Sequence, residues 1–464
     1  MLALYLIMYL MAATVTCLYL YGSIRRSEFG VIFSVSESMF LFGCCLYPIL
    51  YYLGLLIPGI EEGSAIRGGL LPGFWTALHI LSLSVSVAIG FNLALKTRPL
   101  KPVIVKKLSC FILRDEISVF RLLVSGGIGL YLLFFSIVGY DVALINAVLA
   151  RSGEFSGFGE SQKYMFLKTV ASLSLFSHFL IPQVLSRAFR FKFLWLTLYI
   201  ILILLAYLNS ISRTLVIANL FIPPLVYLWT RRSRLKYFFM LVLLPLIGIV
   251  VQLGKSFGNF ISITLSGGDG QIESYQSSDG LFNSFFRNFG HAWFSVEAGV
   301  RSFFDVGPLV NEDILLSIFG FVPARIMDSF GLISFHYTNI SDGMACINAA
   351  KLGLETCTIP TLYPSFSAYV APVAGAMFIG LLRGFIFGSI DFAWRNARLT
   401  GFNGLWLLWF LAATTSNYLT FIPPTIAQTS FLVLIILFIL FFKFIVGGFK
   451  VQVQRGRVDW PNRF

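Results

Sequence analysis

The chain opens on LALYLIMYLMAATVTCLYLYG, Leu2 to Gly22, an apolar run without one charged residue, and runs of this kind recur along most of its 464 residues. About twenty consecutive apolar residues carry a helix across a bilayer. In hydrocarbon, backbone N–H and C=O groups must find partners inside the segment, which leaves helices or closed barrels. Barrel strands would show shorter segments of alternating polarity, not solid apolar runs. With 57% hydrophobic and only 12% charged residues, the chain lies outside the range of soluble domains. The expected fold class is therefore an all-α polytopic membrane protein with about eleven transmembrane helices, within a range of about ten to thirteen. The spans are expected near 2–22, 31–57, 71–95, 119–138, 166–186, 193–209, 214–230, 237–254, 365–389, 401–418 and 426–447. Residues 108–118, LSCFILRDEIS, read as a further, interfacial helix.

The formal charge of +13 matters less than where it sits. Basic residues gather in short loops: Arg25 and Arg26, Lys96 to Lys107, Arg187 to Lys192, Arg231 to Lys236, Arg395 and Arg398, and the tail from Lys450. These loops fall on alternate sides of successive spans, so one topology puts all of them in the cytoplasm, with the amino terminus outside and the carboxyl terminus inside. Topology signals and lipid headgroups explain the charge, and nucleic acid is not an expected partner. The first run lacks a basic leader and a small-residue cleavage site, and reads as an uncleaved span.

The external loops are unequal. One, from Lys255 to Pro364, is about 110 residues long and holds ten acidic against five basic residues. It divides the chain into an amino-terminal bundle (1–254), a large external loop (255–364) and carboxyl-terminal spans with a basic tail (365–464). Its opening, LSGGDGQIESYQSSDG, is expected to be flexible. Beyond Leu281 the apolar residues return at helical spacing, predicting two or more short helices against the membrane face. Cys346 and Cys357 lie in this loop, and either form a disulfide or stay as two thiols. Neither metal-ligand spacing nor a nucleotide-binding glycine motif occurs.

Within that loop, FFRNFGHAWFSVEAGVRSFF, Phe285 to Phe304, sets two arginines and a histidine among aromatics. At about 100° per residue, Arg287, His291 and Arg301 share one helical face. Two readings stand: an ordinary i to i+4 pair of Glu297 with Arg301 beside a packed histidine, or a cationic strip with one titratable imidazole, suited to a phosphate ester. Arg213, in NSISRTLVIANL, sits at an external helix mouth, where a guanidinium either snorkels to headgroups or holds an anion with help from the helix N-terminus. Lys255 could add to that field. Arg325 follows Pro323 and has Asp328 as a neighbour. Arg151 and Glu154 are the candidates of the smaller external loop, and His336, Tyr337 and Asp342 form a polar cluster. Glu37 is the exceptional acid within the predicted spans. Arg383 is expected to snorkel toward the cytoplasm.

An SRT element at an external helix mouth, one long late external loop, and the segment TCTIPTLYPSFSAYVAPVAGAMFIGLLRG, Thr356 to Gly384, together resemble the bacterial O-antigen polymerases of the Wzy type, the oligosaccharide repeat unit polymerases. The likeness covers most of the chain in architecture and short stretches in sequence. It implies a GT-C-like fold and a metal-independent, cofactor-free inner-membrane glycosyltransferase. Such an enzyme transfers a glycan from one undecaprenyl diphosphate to another lipid-linked repeat unit at the periplasmic face, in the company of a flippase and a chain-length regulator. On that resemblance Arg213 and Arg287, joined by Arg301 and Arg325, would surround the donor diphosphate, with Lys255 and Arg151 nearby. His291 would act on the acceptor hydroxyl, Glu154 and Asp342 being other bases, and Trp293, Phe294 and Tyr363 would support sugar or prenyl. A lipid-linked oligosaccharide flippase, an O-antigen ligase and an envelope scaffold are the competing readings. A flippase predicts internal repeats and charges lining a cavity within the spans, and a scaffold leaves the arginines and His291 freely replaceable.

Overall fold

The computed structural model describes residues 2–26, 40–55, 70–99, 116–144, 165–210, 213–230, 280–308 and 363–399, with Glu37, Thr264, Gly404, Leu405, Leu407 and Leu408 as single positions. Among the described residues the principal elements are helical, and five helices are long and apolar enough to cross a membrane. The chain is a multi-pass helical membrane protein. We number its helices α1 (Leu2–Arg26), α2 (π-helical Phe40–Leu46 running into Tyr47–Tyr52), α3 (Leu70–Thr97) and α4 (Glu116–Val138). Next come α5 (Met165–Leu173, 3₁₀ Ser174–Leu180, Ile181–Ser186), α6 (Lys192–Ser210) and α7 (Arg213–Val216, π-helical Ile217–Phe221, Ile222–Thr230). The last three are α8 (Gly280–Val306), α9 (Tyr363–Val370) and α10 (Ala374–Leu399). The expected spans at 237–254 and 426–447, most of 401–418, the interfacial 108–115 and the Gly/Asp/Ser-rich 265–279 lie outside the described residues.

Helices do not gain by hiding apolar surface from lipid, so their packing turns on close approach. The stretch GLLRGFIFG puts Gly380, Gly384 and Gly388 on one stripe of α10, and α3 lies directly against it. A Cβ on Gly384 would collide with the Val87 carbonyl, and one on Gly90 of α3 with the Leu381 carbonyl. Gly380 meets Leu83 and Ser86, whereas Gly388 meets Phe91 and Ala94, so α3 and α10 run parallel. α1 runs the same way, with Tyr5 against Gly73 and Thr16 Oγ 3.4 Å from Ser84 Oγ. Three parallel helices thus bring Arg25, Lys96, Arg98, Arg395 and Arg398 to one end of the bundle, where the Arg98 guanidinium lies 5.7 Å from the Phe392 ring. The relative sidedness inferred from basic loops agrees with this arrangement for the first, third and ninth spans.

α8 departs from expectation. The loop was expected to carry several short helices on the membrane face, yet residues 280–306 form one helix through Gly290, and Ala292, Trp293, Phe294, Val296, Ala298 and Val300 are all buried. A helix apolar on every side is stable only when enclosed, and AWFSVEAGV is nearly that. Gly290 does not interrupt it because the Tyr47 ring takes the space a side chain would need. α8 lies in the half of the bundle away from the basic ends: Trp293 meets Tyr9, and Phe304 packs on Trp75 with ring centroids 5.5 Å apart.

The span expected at 365–389 also needs correction. Pro372 breaks it: the residue before a proline is pushed out of helical geometry and the proline offers no N–H. Tyr363–Val370 is a separate short helix, and the long span begins at Ala374. The span expected at 31–57 shows only the shorter apolar helix Phe40–Tyr52 among its described residues.

Candidate functional site

α9 is the junction of the polar interior. Pro364 starts it, Pro372 follows it, and Tyr363 through Tyr369 are all buried. Gly299 of α8 permits its close approach, since a Cβ there would lie 2.9 Å from the Ser365 carbonyl and 3.0 Å from Ala368 Cβ. Three polar groups from other elements meet α9 or the helix packed on it.

The first is an ion pair in the apolar interior. Arg383 of α10 donates through Nε to Glu37 Oε1 at 2.7 Å and through Nη2 to the same oxygen, and both side chains have 0% exposure. Glu37 Oε2 accepts from the Tyr19 hydroxyl of α1 at 2.6 Å and from the Tyr363 hydroxyl of α9 at 3.4 Å. The guanidinium lies 4.0 Å from the Tyr363 ring centroid and 4.8 Å from that of Phe387. Arg383 therefore does not snorkel. A carboxylate partner, two hydroxyls and two ring faces supply what the headgroup region would have offered. Tyr363, expected to meet sugar or prenyl, is covered in this conformation by the guanidinium.

The second is His79 of α3. Its Nδ1 meets the Pro372 carbonyl, and its Nε2 lies 2.9 Å from the Pro364 carbonyl and 3.1 Å from Ser367 Oγ. Ser367 Oγ donates to the same Pro364 carbonyl at 2.7 Å. The imidazole of α3 thus sits between the two ends of α9, and as a neutral ring it donates to one of these carbonyls, the one facing the nitrogen that carries the hydrogen.

The third lies on α8. Arg301 donates to Glu297 Oε1 at 2.5 Å, the i to i+4 pair that sequence allowed. Glu297 is 6% exposed and its Oε2 has no hydrogen-bond partner among the described residues. Burial pushes its carboxyl above the usual range, and Arg301 draws it back. One turn earlier, Trp293 Nε1 donates to the Tyr9 hydroxyl at 3.0 Å, while its ring centroid lies 6.0, 5.8 and 5.9 Å from those of Tyr47, Tyr51 and Tyr52. Glu297 acts electrostatically on both the Tyr9 and Tyr52 hydroxyls.

Of the residues singled out in sequence, Arg287, His291 and Arg301 share one unbroken helix, so the backbone register that puts them on a common face holds. Arg213 opens α7, three residues past the end of α6. The side chains of Arg213, Arg287 and His291 lie outside the described part, as do Arg151, Glu154, Lys255, Arg325, His336, Tyr337, Asp342 and the pair Cys346 and Cys357. Cys17, Cys44 and Cys45 are free thiols. Among the described residues no group of three or more His, Cys, Asp or Glu could hold a metal ion. Lys168 was missed in sequence. Its Nζ donates to the Asn209 carbonyl at 3.0 Å, at the end of α6 and just before Arg213. A lone lysine in the apolar run MFLKTVASL was the signal. Compared with protein families, with curated proteins and with solved structures, the chain matches none.

Proposed function

We propose that the chain is an integral membrane glycosyltransferase that joins undecaprenyl-diphosphate-linked oligosaccharide repeat units into an O-antigen-like or capsular polysaccharide at the periplasmic face of the bacterial inner membrane. The observation that carries this reading is α8. A helix from the long loop, bearing Arg287, His291 and Arg301, is enclosed in the half of the bundle away from the basic ends. A polymerase needs cations there, because the diphosphate of a lipid-anchored donor meets the protein at the outer headgroup level. Arg213 and Arg287, with Arg301 and Arg325, would stabilise the negative charge that gathers on the departing diphosphate. Lys255 and Arg151 would extend the field, and His291 would act on the acceptor hydroxyl.

A second reading, a lipid-linked oligosaccharide flippase, draws support from Glu37 and Arg383, charges within the apolar interior of the kind transporters use. Their geometry favours it less: the pair is closed on itself and on Tyr19 and Tyr363, with 0% exposure, whereas a transport cavity would present such groups to its cargo.

The test is the glycan ladder of cells lacking the chain, complemented with wild type or Arg287→Ala at matched membrane abundance. Polymerisation predicts single repeat units on the surface lipid in the deletion and no ladder with Arg287→Ala. Loss of all external repeat units would favour the flippase, and intact polymer that fails to reach the surface lipid would favour a ligase.

A further inference from the structure

Beside Trp293, a buried acceptor on Glu297 and a buried donor on Tyr9 stand without a hydrogen-bond partner among the described residues. Glu297 Oε1 is taken by Arg301, while Oε2, an acceptor, has no partner although it is buried. The Tyr9 hydroxyl accepts from Trp293 Nε1, and among the described residues no acceptor takes its own hydrogen. Tyr9 is fully enclosed, and Glu297 stands one helical turn past Trp293, whose indole meets the Tyr9 hydroxyl. A buried acceptor and a buried donor that do not bond each other are both costly. One group satisfies both at once: a hydroxyl, which accepts from Tyr9 and donates to Glu297.

The surroundings suit a hydroxyl carried on a ring. Tyr47 and Trp293 are buried, and Tyr51 and Tyr52 are half-buried. Their aromatic faces offer stacking area, and the half-buried pair is the least enclosed side of the cluster. Along the helix, Glu297 stands six residues past His291 and ten past Arg287, so the rise from Arg287 to Glu297 is roughly 15 Å.

We propose that Glu297 and Tyr9 bind the acceptor sugar's attacking hydroxyl and that Glu297 Oε2, and not His291, takes its proton, a role that rests on the polymerase reading above. The hydroxyl oxygen forms the new bond to the donor's anomeric carbon as the bond from that carbon to the diphosphate oxygen breaks. The electron pair leaves with the diphosphate, and the proton ends on Glu297. Arg301 orients the carboxylate, and burial raises its proton affinity toward that of a working base.

The experiment uses the purified full chain in nanodiscs with a synthetic undecaprenyl-diphosphate repeat unit, and follows the polymerisation rate against pH. Glu297→Gln lowers the rate by about 100-fold or more, with binding of the lipid-linked substrate retained, and removes the acid limb of the profile. Glu297→Asp keeps part of the rate and the limb. Tyr9→Phe has a smaller effect, expressed in the concentration of acceptor needed. A Glu297→Gln protein within about threefold of wild type, its acid limb intact, overturns the proposal. In that case the two groups hold only a water. If Glu297→Gln does not accumulate, Glu297→Asp decides: a rate and an acid limb indistinguishable from wild type sink the assignment. A wild-type chain that makes no polymer defeats the polymerase reading instead, and the two failures stay distinct.

Discussion

Around α9, polar groups are answered by side chains or carbonyls far away in sequence; around α5, α6 and α7 they are answered by nearby backbone. Arg383 and Glu37 are 346 residues apart, Tyr363 and Glu37 326, His79 and Pro372 293, and Trp293 and Tyr9 284. In the second region Tyr199 OH donates to the Asn219 carbonyl at 2.7 Å and Asn219 Nδ2 to the Leu215 carbonyl at 2.8 Å, while Lys168 reaches Asn209. The reason is local geometry. The Asn219 carbonyl sits in the π-helical turn of α7 and the Asn209 carbonyl in the last turn of α6, places where the regular ladder leaves carbonyls to other donors. In the first region the charges themselves need partners, and only tertiary folding brings opposite charges together in hydrocarbon.

The largest test of this contrast is Arg383→Ala. It leaves a buried carboxylate without its cation, and should cost about 3–5 kcal/mol, read as a lower midpoint of thermal unfolding in detergent. Glu37→Met together with Arg383→Met should recover most of that loss, because breaking a buried pair is worse than replacing it. A double variant as unstable as the single one would mean that the ion pair serves more than itself. Next comes Tyr19→Phe, which removes one hydrogen bond to a charged oxygen and should cost about 1.5–3 kcal/mol. The hydroxyl sits at 2.6 Å from Glu37 Oε2, so a change near zero would show that the remaining partners suffice.

Much of this was legible in the chain itself. Long apolar runs announce α1, α3, α4 and α6, and the basic loops give the shared end of α1, α3 and α10. Pro372 was a visible break that the length of the apolar run concealed. Arg383 shows why site reading failed where it did: judged by depth alone, an arginine near a helix end snorkels. Glu37, noted as the exceptional acid inside the spans, was the missing half, and pairing the two opposite charges would have joined them. No local pattern, by contrast, announces the π turn at Ile217–Phe221 or the enclosure of α8, since both depend on what packs beside them. Arg287 and His291 share a face only on an unbroken helix, and α8 runs through Gly290 without a break.

In the second region Lys168→Met removes the ammonium that meets the last turn of α6. An interaction with a helix C-terminus is worth about 1 kcal/mol, so the expected shift is smaller than for either change in the first region. The same variant removes a positive charge close to the start of α7, so a polymer ladder that shortens without loss of stability would mark Lys168 as part of the cationic mouth at Arg213.

The smallest effect belongs to the basic end of the second region, where Arg187 meets Glu116 at 2.8 Å. The distance is short, yet the arginine side chain is 45% exposed. Water and salt compete for it, and such pairs contribute about 0–1 kcal/mol. Lys192 already meets the end of α5, with Nζ on the Leu185 carbonyl at 2.7 Å and on that of Arg187 at 3.2 Å, and Arg121 stacks between Phe189 and Trp195. Neither tie depends on the Arg187 guanidinium. Arg187→Ala should therefore move the unfolding midpoint little, and less still at high salt, whereas the buried pair of α10 should be indifferent to salt. A salt-sensitive Glu37–Arg383 pair, or an Arg187→Ala loss as large as that of Arg383→Ala, would erase the distinction between the two regions.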